Sequence, residues 1–438
     1  MKRLNILLVS ILCSSLLNAC AFANSMQINT RAQLEAHFSQ LSANANAKVI
    51  SSKRRADGMM ELYLEGEPYT AANGNMTTTQ IFALYKLPVM PLKTAKGKTP
   101  AMVLVHGGGG TAFKQWVEKW NDAGFAAMAI AVEGQTDTVV DNLNTTKIKG
   151  SLKWQKHLNS GPSRDGIYAD FDKPLTEQWM FHAVSAVIRA KSFLASQPDI
   201  DEQHIGLAGI SWGGVITATV MGFDNSFDFS IPIYGCGFLD SMENQYKEAL
   251  QGNFAYQTFW EPGLAVGHYL KPSLWLTWRA DKHFSLDAQA RTYHQLTTDY
   301  SVSIKPGIKH GHRVGWQQDE PYLFATQVVR QGSVWAKSLA VKNLNSGKVQ
   351  AEFIVNLGNQ EYQVTKATIH YTKDNGHTGN AKWLKAEMEL VASKTQPGRY
   401  TATSDVLAMG VRHWFVNLEV KIVNENKTYT VSSTLYSN

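Results

Sequence analysis

The sequence holds little cysteine, three residues in 438. Two of them, Cys13 and Cys20, fall in an amino-terminal segment that reads as removable. Cys236 then stands alone, which excludes an intrachain disulfide even in an oxidising compartment. A core of this size is stable without covalent staples. Beyond the amino-terminal segment no second run of 18 apolar residues could span a bilayer. No basic cluster is interleaved with aromatics in the way nucleic-acid binding requires. Charged residues are sparse, at 18%, and the formal net charge of +6 is spread thinly over the chain. Repeats and low-complexity tracts are absent, and 44% hydrophobic residues is an ordinary globular composition.

What is present begins with Lys2 and Arg3 ahead of an uncharged, Leu-rich run from Leu4 to Leu17 and then small residues. This is the anatomy of a secretory signal over residues 1–23. Ala21-Phe22-Ala23 before Asn24 fits ordinary signal-peptidase cutting. The competing reading is a lipoprotein box at Leu17-Asn18-Ala19-Cys20, with an atypical Asn, which would leave a lipid anchor on Cys20. The first is preferred. The expectation is an exported, periplasmic or secreted protein without a membrane span, whose net charge falls by two when Lys2 and Arg3 are lost.

Alternation around Glu61 to Leu64 and Gln80 to Tyr85 predicts an opening antiparallel pair. Continuous apolar runs follow at Ala101 to Val105, Ala126 to Ile130, Phe229 to Tyr234, Leu274 to Trp278 and Ser301 to Ile304, as expected of parallel strands buried on both faces. A helix is predicted over Glu177 to Ser196 from the spacing of its apolar residues. Strands alternating with helices over about 250 residues give an α/β class with a mostly parallel sheet. Residues from Gln135 to Pro174 are polar and weakly periodic, and a loop this long is functional or disordered. After Leu339, six β-rich runs (Ala351 to Val355, Thr368 to Tyr371, Leu384 to Leu390, Tyr400 to Ser404, Trp414 to Ile422, Thr428 to Ser433) predict a sandwich of immunoglobulin-like architecture. The expected division is 24–338 for an α/β domain and 339–438 for the sandwich.

The stretch Gly209-Ile210-Ser211-Trp212-Gly213 puts a serine between glycines just after an apolar run. Such a match arises by accident often enough to need context. A serine hydroxyl is a poor nucleophile until a base takes its proton, a carboxylate orients that base, and donors receive the oxyanion. Each part has a candidate. His106-Gly107-Gly108-Gly109-Gly110 follows a strand-like run, and a glycine-rich loop lets a backbone N–H approach a substrate carbonyl; Gly107 and Gly108 supply one half of an oxyanion hole and the N–H of Trp212 the other. His106 itself is expected to hold the loop. Asp281 follows a later strand and is preferred as the acid over Asp287, which falls in the next helix. The base is His310 or His312, which complete the order Ser, Asp, His. A metal reading of His310-Gly311-His312 lacks further ligands at suitable spacing, and no cofactor is expected. Among the many tryptophans, Trp154, Trp212 and Trp316 are the candidates for contact with substrate.

The segments EQWMFHAVSAVIRAKSFLASQPDID, IGLAGISWGG, IPIYGCGFL, WLTWRADKHFSLD and IKHGHRVGW together resemble the bacterial acetyl-xylan-esterase-like branch of the dienelactone-hydrolase and prolyl-oligopeptidase-related α/β-hydrolases, over about residues 60–335. The resemblance implies an α/β-hydrolase fold, a triad of Ser211, Asp281 and one of the two histidines, export, and an ester substrate on a decorated polysaccharide fragment. His312 is favoured over His310 because a glycine precedes it, as in prolyl-oligopeptidase-like enzymes. Two departures stand out. Asp224-Asn225-Ser226-Phe227 replaces an Asp-x-Arg-Phe stretch and so removes a structural ion pair, and Arg279-Ala280 replaces the Gly-Thr before the acid, changing the wall beside it. The readings set against a serine esterase are a prolyl-oligopeptidase-like peptidase and a catalytically inactive carbohydrate-binding protein.

Overall fold

The computed structural model describes residues 28–44, 46–70, 74, 76–140, 153–344, 347–406, 410–425 and 427–437. The signal segment, both cleavage points and the anchor at Cys20 lie outside the described residues. Among the described residues no helix is long and apolar enough to cross a membrane.

Helix α1 (Arg31–Ala43) starts at a capping box, in which the Thr30 hydroxyl accepts from Gln33 N–H and the Gln33 side chain accepts from Thr30 N–H. Strands β1 (Val49–Arg54), β2 (Met60–Thr70) and β3 (Met76–Lys86) form an antiparallel meander. Then β4 (Thr99–Val105) and β5 (Ala126–Ile130), joined by α2 (Lys114–Asp122), are buried along their whole length. A small hairpin of β6 (Gln135–Val139) and β7 (Trp154–Lys156) interrupts the segment expected to be loop. The chain continues through α3 (Trp179–Ala195), β8 (Ile200–Ile210), α4 (Trp212–Met221), β9 (Phe229–Ile233), α5 (Gln245–Leu250), β10 (Ser273–Trp278), α6 (Leu286–Tyr293), β11 (Tyr300–Lys305), α7 (His312–Trp316) and α8 (Glu320–Gln331).

These strands pair in the order β1-β2-β3-β5-β4-β8-β9-β10-β11, with β5, β4 and β8 to β11 parallel. The continuous apolar runs became parallel strands that are buried along nearly all of their length, as expected where helices cover both faces. This is the α/β-hydrolase arrangement. The order reverses at β4, which has β5 on one side and β8 on the other, and side chains presented at the carboxyl ends of β4 and β8 therefore meet across a crevice. The glycine-rich loop leaves β4 there, and Ser211 leaves β8.

The carboxyl-terminal region is two antiparallel sheets. One holds β12 (Ala336–Leu344), β13 (Lys348–Val355), β16 (Glu389–Ala392) and β17 (Arg399–Ser404). The other holds β14 (Tyr362–Thr372), β15 (Leu384–Glu387), β18 (His413–Ile422) and β19 (Lys427–Ser432). The run Leu384 to Leu390, expected as one strand, divides at the buried Met388: β15 pairs with β14 in one sheet and β16 with β17 in the other. β12 was not anticipated, and the expected boundary at residue 339 falls inside it.

The second sheet is continuous with the mostly parallel one. β19 pairs antiparallel with β11 at Val302 and Ser432; the Ser432 hydroxyl accepts from Ile304 N–H at 2.8 Å, and the Asn417 amide donates to Ile304 O at 3.0 Å. The carboxyl-terminal region thus covers what would otherwise be an open sheet edge. It also reaches the loop after β10. Leu286 N–H donates to the Thr378 hydroxyl at 2.8 Å, and a Cβ on Gly379 would lie 2.0 Å from the Asp281 carbonyl oxygen, so only glycine fits there. Removing residues 336–438 uncovers the β11 edge and this loop together. The expected outcome is aggregation of the truncated chain, read by light scattering beside the full-length protein; a monodisperse truncation would contradict the edge-covering role.

Candidate active site

Ser211 sits on a left-handed backbone, φ 59° and ψ −119°, between β8 and α4. A non-glycine residue in this region is strained, and the strain holds its side chain out from the turn. The glycines around it answer the crowding that results. A Cβ at Gly213 would lie 2.1 Å from Val105 O, and one at Gly209 would lie 1.9 Å from Gly213 O. The motif is therefore a packing requirement between the ends of β4 and β8 as well as a turn.

The Ser211 hydroxyl lies 2.9 Å from His310 Nε2, and His310 Nδ1 lies 2.7 Å from Asp281 Oδ2. Asp281 is almost wholly buried, and its Oδ1 accepts from His283 N–H at 2.8 Å and Phe284 N–H at 3.1 Å. The His310 ring is enclosed by Tyr234, His283 and Phe284, with centroids 4.8, 4.9 and 5.9 Å away. Asp287 is apart from this chain, its carboxylate accepting from the Thr378 hydroxyl at 3.3 Å.

His312, favoured from the sequence, occupies a different place. It is the first residue of α7, and its ring lies against the glycine-rich loop. There His312 Nε2 accepts from Gly107 N–H at 2.9 Å. The ring is wedged against the loop, since a Cβ at Gly110 would come within 2.9 Å of the same nitrogen. Burial lowers the His312 pKa to about 4, with His106 a smaller contribution in the same direction, so the ring is neutral and fit to accept a hydrogen bond.

With its N–H engaged by His312, Gly107 does not offer a free donor. Gly108 N–H and Trp212 N–H have no hydrogen-bond partner among the described residues. His106 is buried, its Nε2 accepting from Val132 N–H at 3.0 Å and its Nδ1 lying 2.7 Å from Gly107 O. Trp154 Nε1 donates to Gly109 O at 3.0 Å, which sets a half-buried indole at the rim of the loop. Trp212 packs among Tyr168, Trp179 and Tyr246. Trp316 differs from expectation. It is buried between Trp116 and Phe113 and presents little ring surface to a ligand.

Arg164 was missed. Its guanidinium lies 4.9 Å over the Trp212 ring, Nε donates to Glu133 at 3.2 Å, and Nη2 is 3.0 Å from where a Cβ on Gly108 would be. It brings a positive charge beside the two free N–H groups. The one signal available in the sequence was a cation in a weakly patterned segment. Among the described residues no group of His, Cys, Asp and Glu is arranged to hold a metal ion.

Residues 67–257 match the family model described as Acetyl xylan esterase (AXE1). The match takes in the glycine-rich loop and Ser211 and ends before Asp281 and His310. Solved structures similar to this chain include acetyl xylan esterase 1 from Thermoanaerobacterium sp. JW/SL YS485, at 17% identity, TM-score 0.48, covering 66% of this chain and 93% of that one. The acetyl xylan esterase from Paenibacillus sp. R4 is similar at 16% identity and TM-score 0.46, over 65% and 91% of the two chains. No curated protein sequence matches significantly. The family match agrees with the resemblance seen in the motifs and supports a hydrolase acting on esters.

The buried His312 makes stability depend on pH. Unfolded, it takes up a proton near 6.5; folded, not until about 4. The unfolded chain binds more protons between these values, so this contribution is complete above pH 6.5 and is lost as pH falls toward 4. His182, held to about 4 by burial, acts in the same direction. Melting temperature is expected to fall between pH 7 and pH 5, less steeply for His312→Asn. Equal slopes for the two proteins would contradict the neutral, loop-bound His312.

Proposed function

We propose that the protein, whose catalytic core is like the acetyl xylan esterases over residues 67–257, is an exported serine esterase that removes acetyl or related acyl groups from polysaccharide fragments. One observation carries this reading: the hydrogen-bonded chain Ser211–His310–Asp281, at 2.9 and 2.7 Å.

Ser211 Oγ attacks the ester carbonyl and its proton passes to His310 Nε2. Asp281 accepts from His310 Nδ1–H, fixing the tautomer with a bare Nε2 and stabilising the imidazolium as it forms. The oxyanion is received by the N–H groups of Trp212 and Gly108, with the Arg164 charge nearby. The alkoxide leaves with the proton from His310, and a water molecule, deprotonated by the same nitrogen, releases the acyl group from the serine. In this assignment His310 takes the part that sequence reasoning gave to His312. His312 is a positioning residue: by holding Gly107 N–H it orients the loop so that the next N–H faces the reacting carbonyl.

Ser211→Ala and His310→Ala are each expected to lower kcat on 4-nitrophenyl acetate by about 10⁴-fold, and the double variant by no more, since triad members act as a unit. His312→Ala is expected to lose about 10- to 100-fold through the loop, less than the roughly 10²- to 10³-fold that follows removal of an oxyanion donor outright. A His312→Ala loss equal to that of Ser211→Ala, with His310→Ala mild, would return the base to His312. Full activity of Ser211→Ala would overturn the serine mechanism.

A further inference from the structure

A cavity of about 570 Å³ opens where the catalytic sheet meets the carboxyl-terminal one, lined among others by Arg279, Lys305, Lys366, His370, Trp383 and Lys385. Two of its cations make no salt bridge among the described residues, although the charge of Lys385 reaches Glu387 two positions along the same strand. Lys385 is one, on the exposed edge strand β15. The other is Arg279. Among the described residues its guanidinium meets the His370 ring, Nη1 to Nδ1 at 3.0 Å, and its buried Nε has no hydrogen-bond partner. Burial lowers the Arg279 pKa with no carboxylate opposing it.

The remaining cations are partly neutralised. Lys305 pairs with Glu320 at 2.5 Å, Lys366 pairs with Glu387, and Glu419 also lines the cavity. The balance stays positive at Arg279 and Lys385. Asn417, Thr368 and Thr430 add hydrogen-bonding groups, and Trp383 an aromatic wall. Arg279 is half-buried and its guanidinium makes no salt bridge among the described residues, so an anion entering the cavity would gain a charge-assisted hydrogen bond there. Planar donors beside an aromatic face and polar side chains are the chemistry that receives an acidic sugar ring.

The cavity lies beside the two loops that complete the site. Arg279 is two residues before Asp281, and Pro306 and Gly307, also in its lining, precede His310 on the other loop. We infer that this cavity is a subsite for an anionic sugar unit, carboxylated or sulfated, on the same chain that presents its ester to Ser211. The substrate is then an acidic polysaccharide rather than a neutral one. The inference rests on the esterase reading for its purpose, while the binding itself stands apart from catalysis.

Calorimetric titration of the full-length protein with unesterified oligosaccharides tests it, because no hydrolysis is needed. Tetragalacturonate or a sulfated galactan tetrasaccharide is expected to bind at least about tenfold more tightly than neutral xylotetraose, as charge-assisted contacts imply; whichever of the two binds better names the anion. Lys385→Gln and Arg279→Gln should each weaken that binding several-fold, and Lys385→Gln should leave 4-nitrophenyl acetate turnover unchanged. Equal affinity for xylotetraose, no binding of either anionic probe, or unaltered affinity in both variants would overturn the subsite. Loss of activity in Ser211→Ala with anion binding intact separates the two claims.

Discussion

Asp281 is a carboxylate with its side chain out of contact with water, and a buried charge must be met on all sides or it does not persist. Here two backbone N–H groups hold one oxygen and His310 holds the other. The loop that supplies those N–H groups is itself clamped from behind, where Gly379 lies against the Asp281 carbonyl and Thr378 receives Leu286 N–H. The order of the site therefore runs from the carboxyl-terminal sheets through the acid loop to the histidine and the serine. A region that contributes no residue to the Ser211–His310–Asp281 chain thus enters its geometry.

The crevice at β4 and β8 supplies the other half. Its requirement is close approach: Gly213 must lie against Val105 O for the serine and the glycine-rich loop to face one another. His312 then engages Gly107 N–H. Two histidines two residues apart thus stand in different hydrogen bonds, one between Ser211 and Asp281 and one against the glycine-rich loop. Their surroundings differ accordingly. The His312 ring is kept neutral by burial, while His310 is bound at both nitrogens.

Much of this was legible in the residues. The parallel strands, the helix over Trp179–Ala195, the serine turn and the role of His106 all depend on patterns a few residues long, and such patterns survive folding. Asp281 could be preferred over Asp287 because helix and loop positions differ in sequence. The choice between His310 and His312 could not be read this way, because it turns on where the backbone enters α7 and which way the first ring of that helix points. Trp316 had a helical neighbourhood whose partners, Trp116 and Phe113, lie some two hundred residues away. The joining of β11 to β19 and the division at Met388 are long-range pairings, which alternation along one strand does not encode. Arg164 sits in a stretch with no period, so nothing local marked it.

The account stands on His310, rather than His312, as the group that activates Ser211. The most direct measurement is the rate at which a fluorophosphonate labels the protein, with the modified residue located by mass spectrometry. The account predicts a single label on Ser211, formed rapidly in the wild type and in His312→Ala at a rate within roughly a hundredfold of it, and all but abolished in His310→Ala, as for loss of a general base. Rapid labelling of Ser211 in His310→Ala, or a label on any other residue, would contradict it.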